Sequence, residues 1–431
     1  MTTVTRSGAA GRTRAAGAVA NLTVATIGFM VNFWAWALLG PLGPGIKERL
    51  GLSFAAQSLL VAVPVIVGSI GRVPVGALTD RFGARVMFPI VSLATVIPVL
   101  VLAYSQSSYW AMIVAGFFLG IGGTAFAVGV PLVSGWYPPA RRGFALGVFG
   151  VGMGGTAISN FTTVRLADAY GPKAPFFLVA AVLVGFAVVA VLLVRDAPGQ
   201  LAGGSALQRT AAVARLPVTW QLCFLYAVGF GGFVAFSVYL PAYLRTAYHL
   251  SQNDAALRTA GFVVLAVIAR PIGGWLADRL HPVPVLVACF SGVAILAVVQ
   301  AFQPALIPVG TVAFLGMAAF LGAASGAVFA LVGKVAPADK VGAVTGVVGA
   351  AGGLGGFVPP LVMGAVYGSE HSYAIGLMLL SDVALAAAVY TGFKMAGLAR
   401  GAAPARDPAV ARGTRAPAKT ARSARRPRTA G

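Results

Sequence analysis

Twelve apolar runs, each long enough to cross a bilayer, divide this chain between residues 23 and 397. A membrane-spanning helix needs about 17–25 mainly apolar residues. The runs have cores at 23–44, 55–78, 86–104, 109–135, 143–165, 174–194, 217–240, 256–277, 283–303, 306–333, 341–367 and 372–397. Their length and their Gly and Pro content predict helices, because barrel strands would read as alternating segments of about ten residues. The fold class that follows is an all-α membrane protein with twelve transmembrane helices. Composition agrees where it matters: 10% of the 431 residues are charged, against about 25% in ordinary soluble domains. That is too few to clothe a soluble enzyme. The first run is too long for a signal peptide, ends in Gly and Pro, and has eleven more behind it. Cys223 and Cys289 fall inside apolar runs with no CxxC partner and predict neither a disulfide nor a metal site.

Lys and Arg number 31 and Asp and Glu 10, a formal net charge of +21. In a soluble chain that imbalance would suggest nucleic acid. With the N-terminus placed inside, twenty-three of the basic residues fall on the cytoplasmic side, ten of them from Lys394 to Arg428. Six fall outside (Lys47, Arg49, Arg165, Lys173, Arg245 and Arg258), and Arg72 and Arg270 lie within spans. The positive-inside rule then puts both termini in the cytoplasm of the inner membrane. The excess reports orientation and calls for no nucleic-acid partner. The longest internal loop splits the spans six and six. The expected organisation is an N-terminal tail (1–22), a six-helix bundle (23–194), a linker (195–216), a second six-helix bundle (217–397) and a basic tail (398–431). The basic tail reads as disordered, either solvated or in contact with anionic membrane lipid.

The two halves repeat one another. Arg72, Gly76, Asp80 and Arg81 recur as Arg270, Gly274, Asp278 and Arg279 at an offset of 198. Gly143, Gly147, Gly150 and Gly154 recur as Gly342, Gly346, Gly349 and Gly353 at an offset of 199. The segment Gly76-Ala-Leu-Thr-Asp80-Arg81-Phe-Gly83-Ala-Arg85 resembles the loop 2–3 motif of the major facilitator superfamily, with residues 274–279 as its shorter counterpart. The resemblance covers about residues 20–397 and implies two pseudo-symmetric six-helix bundles. It also implies a gating charge cluster at Asp80, Arg81 and Arg85, repeated at Asp278 and Arg279, with Gly76 and Gly274 permitting close helix approach.

Arg72 lies eight residues before Asp80, and Arg270 eight before Asp278. At about 1.5 Å per residue, both sit about 12 Å from the helix end, near the middle of a hydrocarbon core about 30 Å thick. An arginine at that depth costs at least about 2.5–3.5 kcal/mol on insertion scales. Snorkelling would have to reach past two turns. Two such residues at equivalent repeat positions are expected to face one central cavity. No Asp or Glu accompanies them in the inner spans, and Asp382 lies in span 12, which the resemblance implies is peripheral. Two uncompensated guanidiniums predict an anionic substrate. Aromatic rings among glycines, at Phe126 in span 4 and at Tyr226 and Phe230 in span 7, would suit a flat ion such as nitrate or nitrite.

The pattern resembles the nitrate/nitrite porter family of that superfamily. It is carried by Asn32-Phe-Trp-Ala-Trp36, Arg72, the Gly-rich span 4 with Phe126, Gly-rich spans 5 and 11, Tyr226, Phe230 and Arg270. The resemblance implies that Arg72 and Arg270 bind the anion, that Phe126, Phe230 and Tyr226 line the site, and that Gly150, Gly154, Gly349 and Gly353 let helices slide. It implies a monomer carrying a small inorganic anion by alternating access, embedded in membrane lipid, with no cofactor, no metal and no enzymatic activity. One departure stands out: the family's span 5 run often carries an Asn, and here Met153 or Gly154 occupies that neighbourhood, with Asn160 two turns on. Thr124, Ser134 and Ser325 are candidate hydroxyl contributors. The expected cycle is nitrate/nitrite exchange, with nitrate/proton symport as its rival. A carrier of a small mono- or dicarboxylate, and a non-transporting sensor or scaffold, are the other readings. His249, His281 and His371 map to loops, and no Gly-Lys-Ser/Thr phosphate loop is present.

Overall fold

In hydrocarbon every backbone polar group must be paired within the protein, which leaves long apolar segments little choice but helix. Twelve spanning segments form: α1 (Ala16–Leu50), α2 (Phe54–Phe82), α3 (Ala84–Tyr104), α4 (Tyr109–Trp136), α5 (Phe144–Tyr170), α6 (Ala174–Leu193), α7 (Pro217–Tyr248), α8 (Gln252–Leu280), α9 (Pro282–Ala301), α10 (Leu306–Val335), α11 (Val341–Glu370) and α12 (Ala374–Leu398). The computed structural model describes residues 4–197, 206–337 and 340–401, and among the described residues there is no strand. Large apolar side chains such as Ile97, Trp110, Leu192, Ile295 and Phe393 stand exposed on the outside of the bundle, as a lipid-facing surface requires. The chain is a multi-pass membrane protein.

Two expectations shift at the edges. The first helix already runs from Val4, inside the stretch expected as a tail, where Ala and Arg are good helix formers. The expected linker contains a short helix, Ala206–Ala214. Most of the expected basic tail, residues 402–431, lies outside the described residues. His249, His281 and His371 sit at helix ends with φ of 54°, 78° and 52°, so all three terminate helices as loop residues do.

Regular helix fails within several of the spans. α1 turns between Trp36 and Leu39, and α2 breaks at Val63 before Pro64 and again at Gly71. α4 and α5 tighten into 3₁₀ turns at Gly120–Thr124 and Val151–Gly154. α7 loosens into a π turn at Ala227–Gly231. Glycine supplies most of these irregular stretches, and irregular backbone at membrane depth is tolerated only where protein covers it.

Both halves use the same packing device. In the first, a methyl added at Gly120 would lie 2.4 Å from the Pro64 carbonyl oxygen, and one at Gly123 2.8 Å from Gly68 Cα. In the second, a methyl at Gly326 would lie 2.0 Å from the Arg270 carbonyl oxygen, and one at Gly273 2.2 Å from that of Ala323. So α2 is pressed on α4 and α8 on α10, backbone against backbone. This places Arg72 and Arg270 at corresponding points of the two bundles.

The two ends of the bundle differ. We call the end carrying loop 2–3 and the linker the tail face, and the other the far face. At the far face Arg245 pairs with Glu48 and donates to Gln252 at 3.2 Å, Gln252 donates to the Pro41 carbonyl at 2.9 Å, and Asn253 donates to Asp168 at 2.6 Å. Each of these except the Arg245–Gln252 bond crosses between halves. Toward the tail face, methyls added at Gly147, Gly342 or Gly346 would meet no atom within 4 Å. Hydrogen bonds join the halves at the far face, while the tail-face ends of α5 and α11 have glycines beside open space.

Gly155→Ala, whose methyl would fall 1.9 Å from the Met30 carbonyl oxygen, is expected to destabilise the protein by about 1–3 kcal/mol. Gly147→Ala, in open space, is expected to be neutral or stabilising by up to about 1 kcal/mol. Thermal unfolding in detergent, followed by loss of the monodisperse chromatographic peak, checks the contrast.

Candidate functional site

Arg72 is 7% exposed and Arg270 6%, so both guanidiniums are buried. A buried charge needs acceptors, and backbone carbonyls and side chains of both halves supply them. Arg72 Nε donates to the Gly123 carbonyl at 3.4 Å, and its Nη1 to the Gly349 carbonyl at 2.6 Å. Arg270 Nη2 donates to the Tyr226 hydroxyl at 3.0 Å, and its Nη1 meets Met153 Sδ at 2.7 Å. Among the described residues neither guanidinium has a carboxylate or histidine partner.

Each arginine therefore holds one group of its own half and one of the other. Arg72 of α2 bonds α4 within its half and α11 across the interface. Arg270 of α8 bonds α7 within its half and α5 across. α5 and α11 are the repeat-equivalent glycine-rich helices, so the contacts across the interface obey the internal symmetry, whereas those within each half, to α4 and to α7, do not.

Aromatic rings fill the space between. Arg72 Cζ lies 5.0 Å from the Phe126 ring centroid and 5.7 Å from that of Phe230. Arg270 Cζ lies 5.6 Å from the Phe230 centroid and 5.7 Å from that of Phe329. Phe230 thus stands between both charges. Its ring stacks on Tyr226 at 5.0 Å with planes 2° apart. These residues are one turn apart along α7, at the π turn. A small cavity of about 10 Å³ lies on the Arg72 side, lined by Trp36, Ser69, Arg72, Gly123, Phe230 and Gly353 among others, and not by Arg270; space of that order holds about one water molecule.

The structure brings all five expected lining residues into one constellation: Arg72, Arg270, Phe126, Phe230 and Tyr226. Three further contributors were not anticipated. Phe329 lies three residues after Gly326, on the same face of α10 as the glycine that packs on Arg270, and that spacing was a usable signal. The Gly123 and Gly349 carbonyls carry no side-chain signature at all. Thr124 and Ser325 spend their hydroxyls on carbonyls of their own helices, Ile121 and Leu321. Asp382 lies on the exposed side of α12. In the span 5 glycine run, where the resemblance leads to the expectation of an amide, the side chain that meets Arg270 is the Met153 thioether. Asn160 donates to Thr156 at 2.8 Å and to the Ser237 carbonyl at 3.4 Å, away from the arginines.

Of the glycines expected to allow sliding, Gly353 is the closest fitted: its added methyl would lie 2.1 Å from Ser69 Oγ. Gly349 and Gly150 border the site, at 3.3 Å from Phe126 and 3.4 Å from Arg270 by the same measure. Gly154, Gly76 and Gly274 make ordinary contacts, at 4.0, 3.8 and 3.7 Å. At the tail face, Arg81 lies over Phe82 and Arg279 over Trp275. Asp196, beyond α6, accepts from the backbone nitrogens of Ala84 (2.7 Å) and Arg85 (3.4 Å). A carboxylate there ties the start of α3 to the linker and complements the helix N-terminus.

A family model described as "Major Facilitator Superfamily" matches residues 25–360. The probable nitrate/nitrite transporter NarK2 of Mycobacterium tuberculosis is 51% identical over 379 residues, covering 87% of this chain and 96% of that protein. The nitrite extrusion protein of Bacillus subtilis is 38% identical over 368 residues, covering 85% and 92%. Among solved structures, a D-xylose-proton symporter superposes with a TM-score of 0.70 at 17% identity, covering 88% and 97% of the chains, which speaks for the fold alone.

Phe230→Leu keeps apolar volume but removes the ring face shared by both guanidiniums. With about 0.5–2 kcal/mol in each cation–ring contact, small-anion binding measured by calorimetry in detergent is expected to weaken about tenfold while the protein remains folded.

Proposed function

The chain belongs to the major facilitator superfamily and, within it, to the nitrate/nitrite porter family, and from that premise we propose that it carries nitrate and nitrite across the membrane by alternating access. Its relatives and its fold are those of transporters, not of enzymes. The observation that carries the proposal is the pair of buried guanidiniums, one from each half, with no carboxylate beside either among the described residues. A buried charge of this kind is stabilised by a ligand of opposite sign. Guanidinium forks onto planar oxyanions through two parallel hydrogen bonds. The rings of Phe126, Phe230 and Tyr226 give a flat ion apolar walls.

In this reading the tail face is cytoplasmic, the membrane is the inner membrane, and one chain is the working unit because each half contributes one arginine. The anion takes over hydrogen bonds that the arginines otherwise give to Gly349 and Met153 across the interface. Its arrival and departure thereby rewire the contacts between halves. Gly353 and Gly349 of α11, with Gly150 and Gly154 of α5, line the surfaces that shift, and the charged groups around Asp80, Arg81, Arg85, Asp278 and Arg279 meet when the tail face closes. Both strokes of the cycle leave the two positive charges in need of an anion, which favours exchange of nitrate for nitrite over symport with a proton.

Arg72→Lys and Arg270→Lys each keep the charge and lose the fork. At about 1.5–3 kcal/mol for a hydrogen bond to a charged group, each is expected to lower nitrate affinity about ten- to a hundredfold, read by competition uptake with nitrate, nitrite, formate, oxalate and chloride. Retention of nitrate transport in both variants, or uptake competed by oxalate and not by nitrite, would overturn the proposal. For exchange, vesicles preloaded with nitrite are expected to take up nitrate quickly. Strong uptake into empty vesicles under an imposed proton gradient would replace exchange by symport.

A further inference from the structure

Far from the central site, α7, α8 and α10 enclose a second cavity of about 170 Å³ in the far-face half of the membrane. Its lining is apolar (Leu240, Leu244, Phe262, Leu306, Phe314 and Leu315) apart from Arg258 and the Thr311 hydroxyl. Of its lining residues Leu315 is itself exposed, and Ile307, Val309 and Val312, beside the lining residues Leu306 and Thr311 in sequence, are exposed and apolar, so the cavity lies at the lipid-facing surface. Arg258 Nε donates to Asp254 Oδ2 at 3.2 Å, one turn nearer the far face on the same side of α8. The two terminal nitrogens of Arg258 and the second oxygen of Asp254 have no partner among the described residues. Both side chains are partly exposed.

A permanent positive charge is thus set at the mouth of an apolar groove, with a carboxylate about 6 Å further out along the helix. A phospholipid with a primary amine in its headgroup presents the matching order: acyl chain deepest, phosphate next, ammonium outermost. We propose that this groove is a site for an aminophospholipid of the phosphatidylethanolamine class. One acyl chain fills the space between α7, α8 and α10. The phosphate takes the free fork of Arg258, and the ammonium donates to Asp254. Each partner satisfies hydrogen-bonding capacity that the Arg258–Asp254 pair leaves unused. A quaternary choline headgroup has no N–H to give Asp254, and a glycerol headgroup has no positive charge, so the site discriminates among lipids with the same acyl chains.

Delipidated full-length protein offered equal amounts of phosphatidylethanolamine, phosphatidylcholine and phosphatidylglycerol with identical chains tests this by native mass spectrometry. A charge contact at a membrane surface is worth about fivefold in occupancy. The wild type is expected to retain phosphatidylethanolamine about fivefold over either competitor. Arg258→Gln is expected to lower that retention about fivefold, and Asp254→Asn to abolish the preference over phosphatidylglycerol. Gly261 borders the groove, and a methyl added there meets no atom within 4 Å. Gly261→Leu is therefore expected to fold normally, fill the groove and lose the retained lipid with both charges in place. Equal retention of the three lipids by the wild type, phosphatidylglycerol in excess, or an unchanged preference in the folded Gly261→Leu protein would each overturn the proposal.

Discussion

Two permanent positive charges, held at the middle of an apolar bundle with no carboxylate partner among the described residues, impose conditions that much of the surrounding structure answers. Neither Arg72 nor Arg270 can shed its charge, and neither reaches water easily from that depth. Each must find acceptors inside the protein. A regular helix offers few, because its carbonyls are already used four residues on. Arg72 takes the Gly123 carbonyl of the 3₁₀ turn at Gly120–Thr124 and the Gly349 carbonyl of α11, and the π turn beginning at Ala227 follows Tyr226, whose hydroxyl meets Arg270. Irregular, glycine-rich backbone thus borders the charges without supplying all of their acceptors.

The same constraint explains the aromatic content of the site. A ring face is the one apolar surface that also attracts a cation. Phe126, Phe230 and Phe329 therefore exclude water from the guanidiniums without adding a compensating negative charge. A carboxylate in the same place would neutralise the site and remove its reason to bind an anion. Phe230, in reach of both arginines and stacked on Tyr226, couples the two halves of the constellation through one ring.

The architecture was legible in the sequence to a considerable depth. Twelve runs became twelve spanning helices, and the offset of 198 residues between Arg72 and Arg270 became a matching pair of buried charges. Residue identity carried that information because a charge or a ring at membrane depth is conspicuous. What the sequence did not reveal is what has no side-chain signature. The carbonyls of Gly123 and Gly349 act through backbone geometry alone. The far-face contacts Glu48–Arg245 and Asp168–Asn253 join residues 197 and 85 positions apart, at helix ends whose composition is unremarkable. Gly154 was a reasonable choice for a close contact, yet Gly155 beside it is the tightly fitted residue. On a helix adjacent positions face about 100° apart, and only the packed structure tells which one meets the neighbour.

Met153 makes the two arginines unequal. Arg72 gives its cross-interface hydrogen bond to a backbone carbonyl, a strong acceptor. Arg270 gives the equivalent one to a thioether sulfur, a weak acceptor. In the proposed cycle an incoming anion would displace a good partner at Arg72 and a poor one at Arg270. The free-energy gain would be larger at Arg270, whose cross-interface hydrogen bond is the easier of the two to replace. Pseudo-symmetry of the fold thus coexists with asymmetry of the site. The asymmetry rests on a single side chain in a glycine run where every neighbour is too small to compete for the guanidinium.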